Sequence, residues 1–332
     1  MEHRAALQSG IAGQAWTIVL GGGCGRRLST LTNDATGNSV PKQFCSLDGT
    51  RSLIEQTLTR AATVSAPQRI TAVVTASHRQ YWEPALEALP SDNIVIQPLN
   101  RGTGIGILLP ALRIAARDPE ARILILPSDH YVAEEGVLEH AMHNALEDIR
   151  THESGVALLG IKADEPDPDL GYILARAGSH PRLHHVHRFI EKPSIDEARR
   201  LVSEGALWNS FIIVCRVQNL IGLLIDACPD IVRALRAVNS RDEVSLLHLY
   251  RNLPVIDFSR NVVTGQEHRL AVMTVGACGW NDLGTPSRLA KTVAAMGGAV
   301  RSMTMARERT QSGWINLAAR LAQLDPALLR MV

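Results

Sequence analysis

A glycine-rich turn near the start of the chain is the first feature that could do chemistry. It reads Leu20-Gly21-Gly22-Gly23-Cys24-Gly25-Arg26-Arg27-Leu28 and follows a short apolar run. Glycines let backbone N–H groups approach an anion without hindrance from a Cβ, and arginines add fixed positive charge suited to phosphate oxygens. The turn has neither the Gly-Lys-Ser/Thr of a Walker loop nor the third glycine of a dinucleotide fingerprint. It therefore predicts a phosphate site of another kind.

Four charged residues elsewhere in the chain could complete such a site: Lys42, Asp129, Lys192 and Asp282. Carboxylate oxygens suit Mg²⁺, which keeps several waters and binds substrate phosphates. Asp129, at the end of an apolar strand, is the best candidate for a metal ligand, and Asp282 is its expected partner. Taken singly, each of the four residues is also typical of a turn or of a solvated charge on the surface. Their functional meaning depends on their coming together in space.

The elements that must position these residues alternate between short apolar runs and helix-period segments. This alternation predicts an α/β fold with a mainly parallel sheet. Strands are predicted at Trp16–Leu20, Ile70–Thr75, Ile94–Gln97, Arg122–Leu126, Val156–Ile161, Tyr172–Leu174, Val186–Glu191 and Phe211–Cys215. Helices are predicted at Ser52–Thr63, Thr103–Ala116 and Ile195–Glu204, the first with Ser52 and Glu55 placed for a capping box. In open α/β sheets, ligands bind at the carboxyl ends of the strands.

One domain with an appendage accounts for the length of 332 residues. Residues 14–298 are predicted to form the catalytic domain, because Met296-Gly297-Gly298 is the clearest candidate boundary. Residues 299–332 are predicted to be a short C-terminal helical appendage containing a helix at Trp314–Leu324.

The composition argues against several classes of partner. The formal net charge is only +1 and aromatic residues make up 4% of the chain, so neither nucleic acid nor an acidic membrane is an expected partner. No apolar segment is long enough to cross a bilayer, and the first residues lack the pattern of a secretory signal. The five cysteines form no Cys-x-x-Cys pair or zinc pattern, which favours reduced thiols and a cytoplasmic location.

Gly22-Gly23-x-Gly25-x-Arg27-Leu28 followed by Pro41-Lys42-Gln43-Phe44 resembles the sugar-phosphate nucleotidyltransferases. The Lys-Gln-Phe version is closest to the mannose-1-phosphate guanylyltransferases. The resemblance runs from about Thr17 to Leu289, and further motifs occur in the family's order. They are Gln97-Pro98-x-x-Arg101-Gly102-Thr103, Leu126-Pro127-Ser128-Asp129-His130, Leu170-Gly171-Tyr172-Ile173, Phe189-Ile190-Glu191-Lys192-Pro193, Trp208-Asn209-Ser210 and Gly279-Trp280-Asn281-Asp282-Leu283-Gly284.

The resemblance implies a Rossmann-like nucleotide-diphospho-sugar transferase (GT-A-like) fold with a mixed, mostly parallel central sheet flanked by helices. It implies a nucleotidyltransferase that joins a sugar 1-phosphate, here mannose 1-phosphate, to a nucleoside triphosphate, here GTP. The products would be GDP-mannose and pyrophosphate, with Mg²⁺ as cofactor. The attacking phosphate oxygen is already anionic, so no general base is needed, and catalysis would come from positioning and charge neutralisation.

The resemblance also assigns roles to individual residues. The implied catalytic residues are Arg27, Lys42, Asp129 and Lys192. The implied nucleotide-binding residues are Leu20, Gly22, Gly23, Gly25, Arg27, Arg101, Thr103 and Ser128. The implied sugar-phosphate-binding residues are Gly171, Tyr172, Glu191, Lys192 and Asn209, and the implied metal ligands are Asp129 and Asp282.

Several positions depart from the family pattern. Arg26 replaces a small hydroxyl residue, Gln97 a glutamate, Gly102 an asparagine and Phe211 a glycine, while Val262 and Val263 stand where Glu and Lys are expected. These departures leave open a different sugar or base, or a nucleotide-sugar-binding regulatory protein without turnover. Retention of the two lysines and two aspartates favours an enzyme. The chain ends before any cupin-like isomerase domain, so a bifunctional enzyme is not expected; a homodimer stays open.

Overall fold

The structure is a computed structural model that describes residues 14–23, 25–34, 37–239, 241–296 and 315–324. In this part of the chain, nine strands form one sheet. They are β1 (Trp16–Leu20), β2 (Ile70–Thr75), β3 (Ile94–Gln97), β4 (Arg122–Pro127), β5 (Val156–Lys162), β6 (Gly171–Arg176), β7 (His184–Glu191), β8 (Leu207–Arg216) and β9 (Ala271–Val275).

Helices cover both faces of this sheet. They are α1 (Ser29–Thr32), α2 (Leu53–Ala62), α3 (Arg79–Ala85), α4 (Gly102–Arg117), α5 (Glu135–Asp148), α6 (Ile195–Ser203), α7 (Val217–Ala227), α8 (Pro229–Ala237), α9 (Glu243–Asn252), α10 (Pro286–Ala295) and α11 (Leu317–Leu324). Among the described residues, none of these helices is both long and apolar enough to span a membrane.

The strand order is β3-β2-β1-β4-β8-β5-β9-β7-β6. Strands β3, β2, β1 and β4 pair in parallel with one another, and β5 is parallel to β9. The pairs β4–β8, β5–β8, β6–β7, β6–β8 and β7–β9 are antiparallel. The prediction of a mixed sheet flanked by helices is confirmed. Parallel pairing is confined mainly to the half of the sheet formed by β3, β2, β1 and β4.

Two apolar cores, one on each face, bury the central strands. Val19 and Leu124 lie in a core that also contains α2 and α5, whereas Ile18 and Ile123 lie in a core that contains α4 and α7. Adjacent residues of one strand point to opposite faces, so β1 and β4 need apolar residues at almost every position. This explains why their sequences are continuous apolar runs and why they were predictable.

Most predicted elements begin and end within two residues of the observed ones. The capping box of α2 is present, with Ser52 accepting from the Glu55 amide and Glu55 accepting from the Ser52 amide. Strand β8 begins at Leu207, four residues before the predicted start, and β9 was not predicted. Both differences concern strands that pair with β5, where burial comes from distant segments rather than from a local pattern.

Of the predicted appendage 299–332, residues 315–324 lie in the described part of the chain. Its helix is observed from Leu317, within the predicted Trp314–Leu324. The Ser46 amide donates to the Ile315 carbonyl at 2.8 Å, and the Leu317 amide donates to the Ser46 carbonyl at 2.8 Å. This helix is therefore tied to the chain that directly follows Lys42. The division into a domain and an appendage stays a prediction.

Candidate active site

A cavity of about 420 Å³ opens at the carboxyl edge of the parallel strands. Its walls come from the glycine turn after β1, the residues after β4, the ends of β7 and β8, and the turn around Asp282. Carboxyl ends of parallel strands meet at one edge, and crevices there are the usual ligand sites of such sheets. The cavity is in the size range of small-molecule sites.

The glycine turn is open towards this cavity. A Cβ built on Gly23 would meet nothing within 4 Å, whereas one on Gly25 would lie 2.8 Å from the Lys42 amide nitrogen. The Gln43 side-chain amide donates to the carbonyls of Gly21 and Gly23, at 2.8 Å each, and so holds the turn in place. Leu20, Gly22, Gly23 and Arg27 line the cavity. Cys24 and the Arg26 side chain lie outside the described residues.

Lys42 connects the two aspartates predicted as metal ligands. Its side chain is 5% exposed, and its ammonium lies 2.9 Å from the Asp129 carboxylate. The same ammonium donates to the Asp282 carbonyl at 2.5 Å. The two segments also pair through backbone hydrogen bonds between Tyr131 and Asn281, at 2.8 and 2.9 Å. The aspartates are therefore neighbours on the cavity wall, although they are far apart in sequence.

Electrostatics favour an ionised Asp129. Burial acts to raise the pKa of Asp129, but the Lys42 charge and hydrogen bond, with a smaller contribution from His130, outweigh burial and hold this pKa below its usual value. Burial lowers the pKa of His130 more than the neighbouring Asp129 raises it. The His130 Nδ1 accepts from the Trp280 indole at 3.3 Å, consistent with a neutral ring. His130 lines the cavity but was not among the predicted site residues.

An arginine that the sequence analysis missed holds the Asp282 carboxylate. Arg288 is 8% exposed, and its guanidinium lies 3.2 Å from Asp282 and 3.0 Å from Asp167. The Asp282 Oδ1 also accepts from the Gly284 amide at 3.0 Å. Arg27 lies at longer range, 4.0 Å from the other Asp282 oxygen, with its side chain 54% exposed. No motif marks Arg288, because only the packing of α10 brings it to the site.

The donor set suits a magnesium ion that is completed by substrate. Within the described ranges, no cluster of three or more His, Cys, Asp or Glu side chains is arranged to hold a metal by itself. Two carboxylates, those of Asp129 and Asp282, nevertheless face one cavity. Mg²⁺ is typically held by one or two carboxylates plus water and substrate phosphates, so this pair fits such an ion.

Most of the predicted sugar-phosphate residues also form part of the cavity wall. Gly171, Glu191, Lys192 and Asn209 line it. A Cβ on Gly171 would lie 2.6 Å from the Glu191 carboxylate, so any larger residue there would require that carboxylate to shift. The Lys192 ammonium lies 3.5 Å from Glu191, and Lys192 adopts a left-handed backbone with φ 53°. Burial, with a smaller contribution from Asp257, raises the pKa of Glu191 despite the opposing charge of Lys192.

Some predicted residues support the cavity from outside its walls. The Tyr172 side chain is fully buried, and its hydroxyl donates to the Asp167 carbonyl at 3.1 Å and accepts from its amide at 2.8 Å. The Ser128 hydroxyl donates to the Leu20 carbonyl at 2.6 Å. The Arg101 guanidinium donates to the carbonyls of Tyr250 and Arg251, at 2.6 and 3.0 Å. Thr103, by contrast, lines the cavity.

Comparison with known proteins decides the family. The sequence matches the model of the nucleotidyl transferase family over residues 16–297. The chain belongs to the nucleotidyl transferase family. The family and fold predicted from the motifs are thereby confirmed.

Two curated relatives of this nucleotidyl transferase chain illustrate the similarity. It is 30% identical over 285 residues to the alginate biosynthesis protein AlgA of Pseudomonas aeruginosa, covering 82% of this chain and 57% of AlgA. It is 27% identical over 284 residues to a mannose-1-phosphate guanylyltransferase of Klebsiella pneumoniae, covering 82% of this chain and 58% of the relative. The chain thus spans less than two thirds of the length of these curated relatives.

Solved structures agree with the sequence relatives. The crystal structure of a mannose-1-phosphate geranyltransferase from Thermus thermophilus superposes with a TM-score of 0.73 at 26% identity, covering 84% of this chain and 79% of that one. A UDP-glucose pyrophosphorylase complexed with UDP-glucose superposes with a TM-score of 0.53 at 14% identity, covering 85% of this chain and 98% of that one. The second similarity is evidence of the fold alone.

Two departures from the family pattern have structural explanations. Gly102 has φ 83°, and a Cβ there would lie 2.3 Å from the Ile256 carbonyl oxygen. That carbonyl accepts from the Gly104 amide at 2.8 Å, so the segment 253–258 lies directly across the start of α4. Glycine at position 102 is what permits this approach. Val262 and Val263, in the helical turn Ser259–Val263, are buried in the core that contains α7, which accounts for their apolar character.

Proposed function

We propose that this chain condenses a sugar 1-phosphate with a nucleoside triphosphate to give a nucleotide sugar and pyrophosphate. Mannose 1-phosphate and GTP are the proposed substrates, and GDP-mannose is the proposed product. The family and the names of its curated relatives support this choice. A cytoplasmic location belongs to the same proposal, because the buried cysteines Cys45, Cys215 and Cys278 are free thiols.

One observation carries the proposal: positively and negatively charged side chains line one cavity. The open glycine turn, Arg27 and Lys192 line it together with Asp129 and Asp282. This set of groups suits two phosphate-bearing substrates that bind in the same cavity. The reaction brings two anions together, so neutralising and orienting them is the main catalytic task.

The residues would divide this task as follows. The Gly22 and Gly23 backbone and the Arg27 guanidinium would bind the triphosphate. The Lys192 ammonium would bind the phosphate of the sugar, whose oxygen attacks the α-phosphorus while pyrophosphate leaves. Lys42 would act from its buried position by orienting Asp129 and keeping positive charge close to the α-phosphate. The attacking oxygen carries no proton that must be removed, so none of these groups is required to act as a base.

Asp129 and Asp282 would hold Mg²⁺ when it is bound. The ion would supply further neutralisation of the substrate phosphates. Arg288 keeps one oxygen of Asp282 occupied at 3.2 Å. The other oxygen lies 4.0 Å from the Arg27 guanidinium.

A matrix of nucleoside triphosphates and sugar 1-phosphates, read out as pyrophosphate release, tests the proposal. The highest kcat/KM is expected for GTP with mannose 1-phosphate in the presence of Mg²⁺. Asp129→Asn is expected to lower kcat by at least about 100-fold, as for loss of a key electrostatic group. Asp164→Asn is the matched control, because Asp164 is exposed and outside the cavity walls.

The outcomes separate the alternatives. A preference for another sugar or base would keep the reaction and change its substrates. Tight binding of GTP or GDP-mannose in calorimetry, without turnover of any pair, would instead favour a nucleotide-sugar-binding regulatory protein. Equal loss of activity in the Asp129 and Asp164 variants would contradict the assignment of the site.

A further inference from the structure

Strand β8 is irregular where it passes the cavity. On β5, Leu159 pairs with Ile212, while the next residue, Gly160, pairs with Asn209. Strand β8 therefore contains two extra residues, Ser210 and Phe211, across this step. The Ser210 hydroxyl donates to the Leu159 carbonyl at 2.5 Å and is buried. Bulges of this kind bend a strand and redirect a side chain, and they are common beside active sites.

Phe211 occupies the bulge in a conformation that large L-residues avoid. Its φ is 59°, in the left-handed region, where a bulky non-glycine residue is an outlier. Glycine would adopt the same backbone without strain. A strained residue persists only where its surroundings hold it, and strain of this kind clusters at functional sites. The aromatic ring, rather than the backbone geometry, is therefore the feature to be explained.

The Phe211 ring forms part of the cavity wall. Phe211 is half-buried and lines the cavity beside Asn209 and Lys192. It packs edge-on against Phe258, with ring centroids 6.2 Å apart and planes at 71°. Phe258 is 1% exposed, and its amide donates to the Thr103 hydroxyl at 2.8 Å. The ring of Phe211 is thus supported by a buried ring, and the Phe211 amide donates to the Asn209 side chain at 3.1 Å, in the part of the cavity assigned to the sugar.

We propose that Phe211 is a specificity-determining residue that restricts the sugar 1-phosphate to one without a bulky polar substituent. N-acetylhexosamine 1-phosphates are the class excluded, and unsubstituted hexose 1-phosphates are the class accepted. An N-acetyl group adds volume, and its amide would lose hydrogen bonds to water against the ring without gaining new ones. The inference rests on the proposed function, since it uses the sugar end defined there.

The test compares the wild type with Phe211→Ala and Phe211→Gly. Each protein is assayed with mannose 1-phosphate against N-acetylmannosamine 1-phosphate, and with glucose 1-phosphate against N-acetylglucosamine 1-phosphate. The wild type is expected to favour the unsubstituted sugar in kcat/KM by about 10- to 200-fold. Both variants should reduce this ratio by at least about 10-fold, through the KM of the N-acetylated sugar rather than the KM of the nucleotide.

The two variants separate the ring from the backbone. Alanine removes the ring but keeps the left-handed strain, whereas glycine removes both. An equal change of the ratio in both variants supports the ring as the cause. An unchanged ratio, or a change in the glycine variant alone, overturns the proposal. Thermal unfolding of each variant verifies that the protein is folded, with Phe211→Leu as the replacement if alanine does not fold.

A binding experiment keeps the inference independent of turnover. If no substrate pair releases pyrophosphate, the proposed function fails, and the same sugar phosphates are titrated into the three proteins by calorimetry. Discrimination by the wild type that is lost in both variants still supports the role of Phe211. Equal affinity of the wild type for the paired sugars, or no binding of any of them, overturns it.

Discussion

Removing the ammonium of Lys42 should cost both stability and activity, and Lys42→Met is the cleanest perturbation because methionine keeps the apolar stem. The ammonium makes two close contacts, 2.9 Å to the Asp129 carboxylate and 2.5 Å to the Asp282 carbonyl. Hydrogen bonds to charged groups contribute about 1.5–3 kcal/mol each. The Asp129 side chain is 38% exposed, so in the variant water can replace part of the interaction that this carboxylate loses. We therefore expect Lys42→Met to reduce the free energy of unfolding by about 2–4 kcal/mol.

The pH dependence of this loss gives a sharper test. Because Lys42 helps hold the pKa of Asp129 below its ordinary 3.8, the folded state gains stability from an ionised Asp129 above pH 3.8 and loses it as the pH falls through the folded pKa. Lys42→Met lacks the ammonium that lowers the pKa of Asp129. The difference in unfolding free energy between wild type and variant should therefore be largest near neutral pH and shrink below pH 3.8.

Urea unfolding at several pH values measures this difference, and Lys192→Met is the matched control. Lys192 is likewise a lysine paired with a carboxylate, but its side chain is 39% exposed and its partner lies 3.5 Å away. Its removal should change stability by less than about 0.5 kcal/mol. Equal losses in the two variants, or a Lys42 loss that does not depend on pH, would refute the reasoning. In the pyrophosphate assay, Lys42→Met should lower kcat by about 100-fold or more.

Four further variants test the roles of backbone geometry and burial. Gly25→Ala should destabilise the protein by about 2–4 kcal/mol in urea unfolding, because the new Cβ would lie 2.8 Å from the Lys42 amide nitrogen at a backbone φ of 59°. Gly23→Ala is the matched control for stability, since the space around its Cβ is open. It should change the free energy of unfolding by less than about 0.5 kcal/mol, yet weaken nucleotide binding in calorimetry. Gly102→Ala should cost about 2 kcal/mol or more, because its Cβ would lie 2.3 Å from a backbone carbonyl at φ 83°. Glu191→Gln should raise the free energy of unfolding near neutral pH, because the raised pKa of Glu191 makes its ionised form unfavourable in the folded state. Below pH 4.5 the wild-type carboxyl is protonated in both states, so the gain in stability should disappear. A gain of the same size at all pH values would contradict this explanation.

The local part of the structure could be predicted from the sequence. The apolar run Trp16–Leu20 must be a buried strand, and it is β1 with the predicted bounds. The capping signals at Ser52 and Glu55 predicted the start of α2. Four glycines after β1 predicted an open turn, because backbone that approaches an anion closely tolerates little else. Such features depend on neighbouring residues only, so they can be inferred from short stretches of sequence.

The function of individual residues could be predicted only where a motif marked them. Lys42, Asp129 and Asp282 were predicted to converge, and the structure brings them together. Arg101 belongs to an equally clear motif, yet its guanidinium binds backbone carbonyls of residues 250 and 251. Arg288 belongs to no motif and still holds a carboxylate of the site. A side chain's type states what it can bind, but not which of several partners will be within reach.

The amino-acid sequence by itself determined the family, eight of the nine strands of the described sheet and much of the chemistry that the cavity can offer. Only the tertiary structure decided that an ammonium at position 42 meets a carbonyl 240 residues away, and that the ring of Phe211 lies in a strand bulge beside the cavity. The physical reason is the range of the forces involved. Backbone preference and apolar periodicity act over a few residues, whereas the walls of a site are set by the packing of segments that are remote in sequence.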